Sequence, residues 1–358
     1  LDGESCWAGA AGVAVPDGAP MRADTPFFIA SVDKLLTAAA VLKLAEEGRI
    51  GLDEPMTAYL PPALSAGLHR LKGADRTDAV TVRHLLGHTS GLADWLEDRP
   101  RGGRSLVERI VEEGDRAMSV AEMLDWVRDG LTPHFPPQPA GAGRQRIRYS
   151  DTNYVLLGAI IESVEDRPQE EVFEKMLFRP LGLAHTWFAG RSRPLEPTPG
   201  PAALWAGARP LEIPLLLRSI GGIYSTAGDL IKFLRALLRG EVFGDPATLA
   251  LMTERWNRFG VPLDLAALRQ PGWPIEYGLG MMRFRLPRLF SSRHLAGHSG
   301  STGTWLFHCP QLGWLFSGAV DQVEAGPVPY RFLPRLIKVL ERRGLSRTGR
   351  ESTVESKP

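Results

Sequence analysis

The order of strand-like and helix-like segments most constrains how this chain can fold. A glycine-containing strand is predicted over residues 6–15, before an apolar helix that begins near residue 31. Further strand patterns return after residue 276, and the stretch between reads mainly as helices joined by loops rich in proline, glycine and arginine. The chain must then return to the sheet that it began. We therefore predict an α/β fold, in which an antiparallel sheet flanked by helices carries an inserted, mostly helical domain.

The same order predicts the domain boundaries. Residues 1–58 and 221–345 are expected to form a discontinuous sheet domain, and residues 59–220 a helical domain. The polar residues 346–358 are expected to be a disordered tail.

Local signals predict several elements within these domains. Ser119 with Glu122 reads as a capping box, and Thr226 with Asp229 as the cap of a helix over 227–238. Strands and a terminal helix are then predicted over 277–286, 293–297, 304–308, 314–320 and 329–343. The last two strands flank a Pro-Gln-Leu-Gly turn, which predicts an antiparallel hairpin.

Composition excludes several classes of partner. The formal net charge is +1 over 358 residues, and arginines alternate with acids along the chain, so no nucleic-acid partner is predicted. No apolar run approaches the length of roughly 20 residues that a membrane span requires. The chain begins at Leu1 without a leader pattern, as a mature form or a fragment would, and both a cytoplasmic and a periplasmic or secreted location stay open.

Cysteine usage predicts neither a disulfide scaffold nor a metal site. Cys6 and Cys309 are the two cysteines, with no CxxC pair and no histidine–cysteine cluster at ligand spacing. Both are expected on strands as buried free thiols, with a single disulfide as the alternative. No cofactor and no metal are predicted.

Ser31 and Lys34 lie three residues apart at the start of the apolar helix, which is expected to end near Gly48. At this spacing their side chains share one helix face, so a hydroxyl and an amine can meet. A lysine can take the serine proton if burial or a neighbouring charge lowers its pKa. The alternative is an N-cap serine followed by a solvated lysine, but a lysine on a mostly buried helix needs another reason.

Tyr149 follows a long loop over 132–148 and directly precedes a helix. A phenol can relay a proton if nearby cations lower its pKa. The alternative is a packing tyrosine at a helix entry. Asp151 is predicted to be the N-cap of that helix.

A glycine-rich segment, 297–303, lies between two predicted strands and contains His298, Ser299, Gly300 and Ser301. Its glycines let the backbone approach a ligand closely, and an edge strand exposes N–H groups that can bind a carbonyl oxygen. The alternative is a hairpin loop with a structural histidine.

These three segments together resemble the penicillin-recognising serine hydrolases, the class C β-lactamase and DD-peptidase family. Members of that family use Ser-x-x-Lys, Tyr-x-Asn/Ser and Lys/His-Thr/Ser-Gly in this order. The corresponding residues here are 31–34, 149–151 and 298–300, and the stretches 85–92 and 221–230 also resemble the family. The resemblance covers nearly the whole chain.

The resemblance implies a role for each motif. Ser31 would be the nucleophile, and Lys34 and Tyr149 the acid/base pair. His298 would position Tyr149 or the substrate, and the N–H groups of Ser31 and Ser301 would form the oxyanion hole. The implied oxyanion and substrate-binding set is Ser31, Asp151, His298, Ser299, Gly300 and Ser301.

Two departures from the family pattern bear on the substrate. Asp151 stands in place of asparagine, and His298 in place of lysine. A histidine with an ordinary pKa is mostly neutral at pH 7 and attracts the carboxylate of a β-lactam less than a lysine does. An aspartate facing the cleft would repel that carboxylate.

We therefore predict a serine hydrolase that cleaves small carboxylic esters through an acyl-enzyme on Ser31. The alternatives are a D-amino-acid peptidase or DD-peptidase-like activity, a weak β-lactamase, and a catalytically inactive binding module of the same fold. The expected partner is a small-molecule ester or amide, and no oligomeric state is predicted.

Overall fold

The computed structural model describes residues 6–141, 143–259, 275–286, 293–323 and 325–342, and of Val111 it describes the backbone alone. The α-helices in these ranges are α1 Asp33–Glu46, α2 Pro62–Ser65, α3 Val82–Leu86, α4 Leu106–Glu113, α5 Val120–Gly130, α6 Asp151–Glu165, α7 Gln169–Phe173, α8 Pro214–Ser219, α9 Ala227–Leu238, α10 Pro246–Glu254 and α11 Val328–Arg342. None of the described helices is long and apolar enough to cross a membrane.

The strands form two larger sheets and two short hairpins. They are β1 Phe27–Phe28, β2 Arg70–Leu71, β3 Ala74–Asp75, β4 Trp187–Phe188, β5 Leu204–Ala206, β6 Arg209–Leu211, β7 Ile223–Ser225, β8 Asn257–Arg258, β9 Ile275–Tyr277, β10 Met282–Arg285, β11 His294–Ser299, β12 Trp305–Cys309 and β13 Trp314–Gly318. The predicted 277–286 strand is divided between β9 and β10.

The larger sheet is antiparallel, with the strand order β13-β12-β11-β10-β9-β8. Strands β12 and β13 pair from Trp305 opposite Gly318 to Cys309 opposite Trp314, which confirms the predicted hairpin. Helix α9 packs against these two strands. An antiparallel sheet with helices against it confirms the predicted α/β class.

The expected strand over 6–15 is absent from the described residues 6–12, and the strand that precedes α1 does not share a sheet with the C-terminal strands, so this part of the prediction is wrong. Residues 6–12 form no strand, and Val13 makes a single isolated bridge to Pro20. The first strand in the described residues, β1, pairs with β7 in a separate sheet of order β1-β7-β4. Small alanine and glycine side chains over 8–12 offer little apolar surface to bury, and residues 6–13 are exposed.

The prediction that both cysteines are buried on strands is wrong for Cys6. Cys6 is exposed and lies outside any strand, whereas Cys309 is buried at the end of β12. Both are free thiols.

Helix α1 is the centre of the main hydrophobic core. Residues 34–42 are all buried, and the helix packs against α6 and β11. A helix that is apolar around its whole circumference is stable when it is enclosed by other elements. The burial of α1 therefore places Lys34 in its first turn, and Ser31 in the turn just before it, between the sheet and the helices.

Local capping was largely readable from the sequence. Ser119 and Glu122 form the predicted capping box, and the Thr226 side chain accepts the Asp229 N–H. Asp151 is not the N-cap that was predicted, because α6 begins at Asp151 and Ser150 occupies the cap position, without a capping hydrogen bond from its side chain to the helix. The domain boundaries stay predictions, and the expected tail over 346–358 lies outside the described residues.

Candidate active site

Ser31 lies in a 3₁₀ turn, Ala30–Val32, that leads directly into α1. Lys34 Nζ donates a hydrogen bond to Ser31 Oγ at 3.2 Å. Because one helical turn separates the two residues, helix geometry alone brings the groups together. The predicted meeting of hydroxyl and amine is thus present in the structure.

The glycine-rich segment closes over this turn from the end of β11. A Cβ on Gly300 would lie 2.2 Å from Thr304 Oγ1 and 2.7 Å from Ala30 Cβ, so the approach requires glycine. Thr304 Oγ1 in turn donates to the Ile29 carbonyl at 3.0 Å. Ala30 has φ of 46°, in the left-handed region that non-glycine residues seldom adopt. These contacts hold the first and third motifs together.

Lys34 is buried among carboxylates and aromatic rings. Its Nζ lies 2.6 Å from Asp151 Oδ1 and 3.8 Å from Asp33 Oδ1. It also lies 5.3 Å from the ring centroids of both Tyr149 and Tyr154. Burial by itself favours the neutral amine, but the carboxylate charges of Asp151 and Asp33, with that of Asp151 foremost, outweigh it and hold the pKa of Lys34 well above its usual value. The resting lysine is therefore an ammonium, whereas a base would need a lowered pKa.

Further acidic groups lie behind this ion pair. Burial raises the pKa of Asp33 to about 6, against the opposing charge of Lys34. Asp94 Oδ2 accepts the Asp151 N–H at 3.0 Å, and burial with the Asp151 charge raises the pKa of Asp94 to about 7. Carboxylates therefore offset the charge of Lys34 where α1 and α6 meet.

Tyr149 lies where the loop delivers it, beside Lys34 at the start of α6. Its hydroxyl oxygen is buried and meets no partner at hydrogen-bonding geometry among the described residues. Burial raises the pKa of Tyr149 well above its usual value, although Lys34 and Ser31 are near enough to act in the opposite direction. Tyr149 is thus a neutral phenol in the resting site.

His298 is fully buried behind the site. Its Nδ1 donates to the Ser299 carbonyl at 2.8 Å, which leaves Nε2 to accept a hydrogen bond from the Tyr277 hydroxyl at 3.0 Å. Burial and the charge of Lys34 lower the pKa of His298 to about 3. Its ring centroid lies 6.3 Å from that of Tyr149. His298 therefore bonds to Tyr277 rather than to Tyr149, and it is neutral.

The remaining predicted site residues divide between core and surface. The Ser299 hydroxyl lies 2.7 Å from the Tyr330 hydroxyl of α11, in the core of the sheet. Ser301 is exposed in the turn before β12. The oxyanion role of the Ser31 and Ser301 N–H groups stays a prediction. Among the described residues, no group of histidine, cysteine and carboxylate side chains is placed to hold a metal ion.

Sequence reasoning missed an aromatic cluster around the site. The Tyr154 hydroxyl lies 3.3 Å from the Tyr277 hydroxyl and donates to the Leu86 carbonyl at 3.1 Å. The ring of His88 packs between the rings of Tyr149, Tyr154 and Tyr277. Tyr154 could have been identified from the sequence, since it lies three residues after Asp151 and so on nearly the same face of α6. Tyr277 carried no local signal.

Comparison with known proteins gives matches over most of the chain. A family model described as Beta-lactamase matches residues 1–327. Esterase EstB of Burkholderia gladioli is 31% identical over 289 residues, which cover 73% of this chain and 68% of EstB. The putative penicillin-binding protein PbpX of Bacillus subtilis is 28% identical over 233 residues, covering 64% of this chain and 50% of PbpX.

Solved structures include folds of the same kind. A D-stereospecific amidohydrolase from Streptomyces sp. superposes with a TM-score of 0.65 and 27% identity, covering 86% of this chain and 87% of that one. The fold class predicted from the sequence is confirmed by this likeness.

Proposed function

Because this chain belongs to the beta-lactamase family of hydrolases, we propose that it is a serine hydrolase acting on small, uncharged carboxylic esters. The observation that carries the proposal is the Ser31–Lys34 hydrogen bond of 3.2 Å, in a site where Asp151 balances the lysine charge. The likeness to esterase EstB supports an ester substrate. Ser31 would carry the acyl group between the two half-reactions.

Acylation begins with attack of Ser31 Oγ on the ester carbon, and the hydroxyl proton passes to Lys34 Nζ. Since Lys34 is already an ammonium, it must release a proton as it accepts one. Asp151 Oδ1, 2.6 Å from Nζ, is placed to receive that proton. We propose the proton route Ser31 to Lys34 to Asp151, which leaves the lysine cationic beside the developing negative charge.

Collapse of the tetrahedral intermediate breaks the bond to the alcohol. The departing alkoxide takes the phenol proton of Tyr149, which is neutral at rest because its pKa is raised. Tyr149 then recovers a proton from Lys34, and Lys34 recovers one from Asp151. Water attacks the acyl-enzyme by the reverse route and releases the carboxylic acid, so the proton balance closes over one turnover.

The charges of the site favour a neutral acyl substrate over an anionic one. His298 replaces the lysine of the third motif and is neutral, since burial lowers its pKa to about 3. Asp151 and Asp33 offset the charge of Lys34. A substrate carboxylate, as in a β-lactam, would therefore meet little net attraction.

The test is a substrate panel run on one preparation of wild type and two variants. It contains p-nitrophenyl esters of increasing chain length, D-alanyl amides and nitrocefin. We expect short esters to be turned over fastest, and Ser31→Ala to abolish both turnover and labelling by a fluorophosphonate. Ser163→Ala, at an exposed position of α6, is the matched control that should retain both.

Each other outcome has a distinct meaning. Labelling that persists in Ser31→Ala would place the nucleophile elsewhere. Nitrocefin turnover as efficient as ester turnover would remove the ester assignment and keep the nucleophile. No turnover of any substrate by the wild type would favour the inactive binding module.

The second candidate is hydrolysis of D-amino-acid amides or peptides. It is favoured by the 27% identity with the Streptomyces D-stereospecific amidohydrolase and by the carboxylates of Asp33 and Asp151, which suit a substrate ammonium. Faster turnover of D-alanyl amides than of esters would establish it.

A further inference from the structure

We propose that His88 is the positioning residue for Tyr149, holding the phenol beside Lys34. The inference rests on the proposed function, because that function gives Tyr149 its place in proton transfer. His88 lies in the turn after α3, far from Tyr149 in sequence, and it is fully buried.

Two hydrogen bonds to His88 enclose Tyr149 along the backbone. The Arg148 N–H donates to the His88 carbonyl at 3.0 Å. The Ser150 N–H donates to His88 Nδ1 at 3.2 Å. Because the residues on both sides of Tyr149 are bonded to one histidine, the backbone at Tyr149 has little freedom to move.

The imidazole also packs against the Tyr149 ring itself. The two ring centroids are 4.4 Å apart, with an interplanar angle of 33°. On its other sides the imidazole meets Tyr154 at 5.2 Å and Tyr277 at 4.7 Å. These contacts hold the His88 imidazole in place against the face of the Tyr149 ring.

The orientation of His88 is itself fixed. Asn153 Nδ2 donates to His88 Nδ1 at 2.9 Å, and Ser90 Oγ donates to Asn153 Oδ1 at 2.7 Å, so Nδ1 is an acceptor and the ring proton lies on Nε2. His88 has φ of 55°, which is unusual for a residue other than glycine. That backbone conformation lets the carbonyl and the ring of one residue both serve the Tyr149 segment.

His88 is an uncharged imidazole in this arrangement, with its single ring proton on Nε2. Burial, with the charge of Lys34, lowers the pKa of His88 well below its usual value. The neutral ring with an occupied Nδ1 acts through Tyr149 and not on the substrate.

The competing explanation is an ordinary core histidine that contributes to stability alone. His69 provides the matched control, because it is also fully buried but donates from Nε2 to the Phe135 carbonyl at 3.0 Å. His69→Asn should therefore share the cost of losing a buried imidazole without moving Tyr149.

Two substitutions at position 88 separate the two kinds of contact. His88→Asn keeps an acceptor near Nδ1 and tolerates the left-handed backbone, but it removes the ring. His88→Phe keeps a ring and removes the acceptor. For p-nitrophenyl acetate we expect each to lower kcat by about tenfold to a hundredfold with KM within about threefold, as displacement of a catalytic group does.

The decisive measurement is a double-mutant cycle with Tyr149→Phe. If His88 acts through Tyr149, His88→Asn should change kcat by no more than about twofold in the Tyr149→Phe background. His69→Asn should change wild-type kcat by no more than about twofold, measured below the melting temperature of every variant.

Two results would overturn the positioning role. One is a His88→Asn effect on kcat no larger than that of His69→Asn, and the other is multiplicative losses in the double variant. A Tyr149→Phe enzyme as active as wild type would instead remove the role of Tyr149 on which the inference rests. The failure of the positioning role and the failure of the proposed mechanism are thereby distinguished.

Discussion

The candidate site has two unlike sides, and Tyr149 contacts both of them. The charged side consists of Asp33, Lys34 and Asp151, where α1 meets α6. The neutral side consists of His88, Tyr154, Tyr277 and His298, which are buried and linked by ring contacts and hydroxyl hydrogen bonds. Burial disfavours the charged form of a side chain on both sides. At Lys34 the neighbouring carboxylates outweigh burial and raise the pKa, whereas at His298 burial prevails and lowers the pKa to about 3.

This difference explains why His298, which stands in place of the lysine of the third motif, does not supply a positive charge to the site. On the charged side, Lys34 stays protonated because Asp151 and Asp33 face it. On the neutral side, His298 accepts a hydrogen bond from Tyr277 and stays uncharged. The site therefore combines one balanced cation with an uncharged wall, which suits ester carbonyls better than carboxylates.

Removal of the cation should have the largest effect. We expect Lys34→Ala to lower ester kcat/KM by about a thousandfold, since it deletes the proton carrier and the charge beside the intermediate. The measurement is p-nitrophenyl ester hydrolysis together with the rate of fluorophosphonate labelling. Lys43→Ala, on the same helix but bonded to the Val242 carbonyl, is the control expected to behave as wild type. A Lys34→Ala rate near the wild-type rate would remove Lys34 from the mechanism.

Neutralising one carboxylate should shift selectivity. Asp151→Asn leaves the charge of Lys34 less balanced, so we expect the ratio of nitrocefin acylation to ester hydrolysis to rise by about tenfold. The control is Asp53→Asn, which breaks the exposed ion pair with Arg83. An unchanged ratio would show that Asp151 does not tune the site against anions.

The low pKa of His298, on the neutral side, should make the free energy of unfolding fall at acid pH. The pKa of His298 is about 3 in the folded protein, below its value in the unfolded chain. Its contribution to the free energy of unfolding is therefore complete above the unfolded pKa and is lost as the pH falls towards 3. His298→Gln keeps an acceptor for Tyr277 but does not titrate. Between about pH 6.5 and about pH 4.5, we expect the variant to lose about 2 kcal/mol less unfolding free energy than wild type. Equal losses, measured by denaturant unfolding, would mean that His298 titrates normally.

The charged side should show the opposite and smaller dependence. The pKa of Asp33 is raised to about 6, so its contribution is present at low pH and is lost as the pH rises through 6. Asp33→Asn should therefore lose less unfolding free energy than wild type between about pH 4 and about pH 7, by about 1 kcal/mol after allowance for partial solvent exposure. A steeper loss in the variant would contradict the assigned direction.

The features predicted correctly from the sequence are those determined by nearby residues. Ser31 meets Lys34 because a helical turn imposes it, and the Ser119–Glu122 box needs only four consecutive residues. Failures came from contacts between distant segments. Asp151 reads locally as a cap, yet its carboxylate pairs with Lys34 of another helix.

The same limit applies to protonation and to burial. The sequence places a lysine on an apolar helix but does not say which charges gather around it, so the rise in the pKa of Lys34 could not be anticipated. The sequence shows that His298 lies in a glycine-rich segment. Its hydrogen bond to Tyr277, however, depends on the pairing of three strands, β9, β10 and β11. The expected strand over 6–15 failed for a related reason, because no strand in the described part of the chain pairs with it.

The central claim is that an acyl group is carried on Ser31. The most direct measurement is acid quenching during steady-state turnover of a p-nitrophenyl ester, followed by peptide mass spectrometry. Cleavage after Arg22 and Lys34 releases a peptide in which Ser31 and Thr25 are the hydroxyl residues. The acyl-enzyme mechanism predicts the acyl mass on Ser31 in wild type and its loss in Ser31→Ala. Ester hydrolysis accompanied by an adduct on another residue, or by none at all, would contradict it.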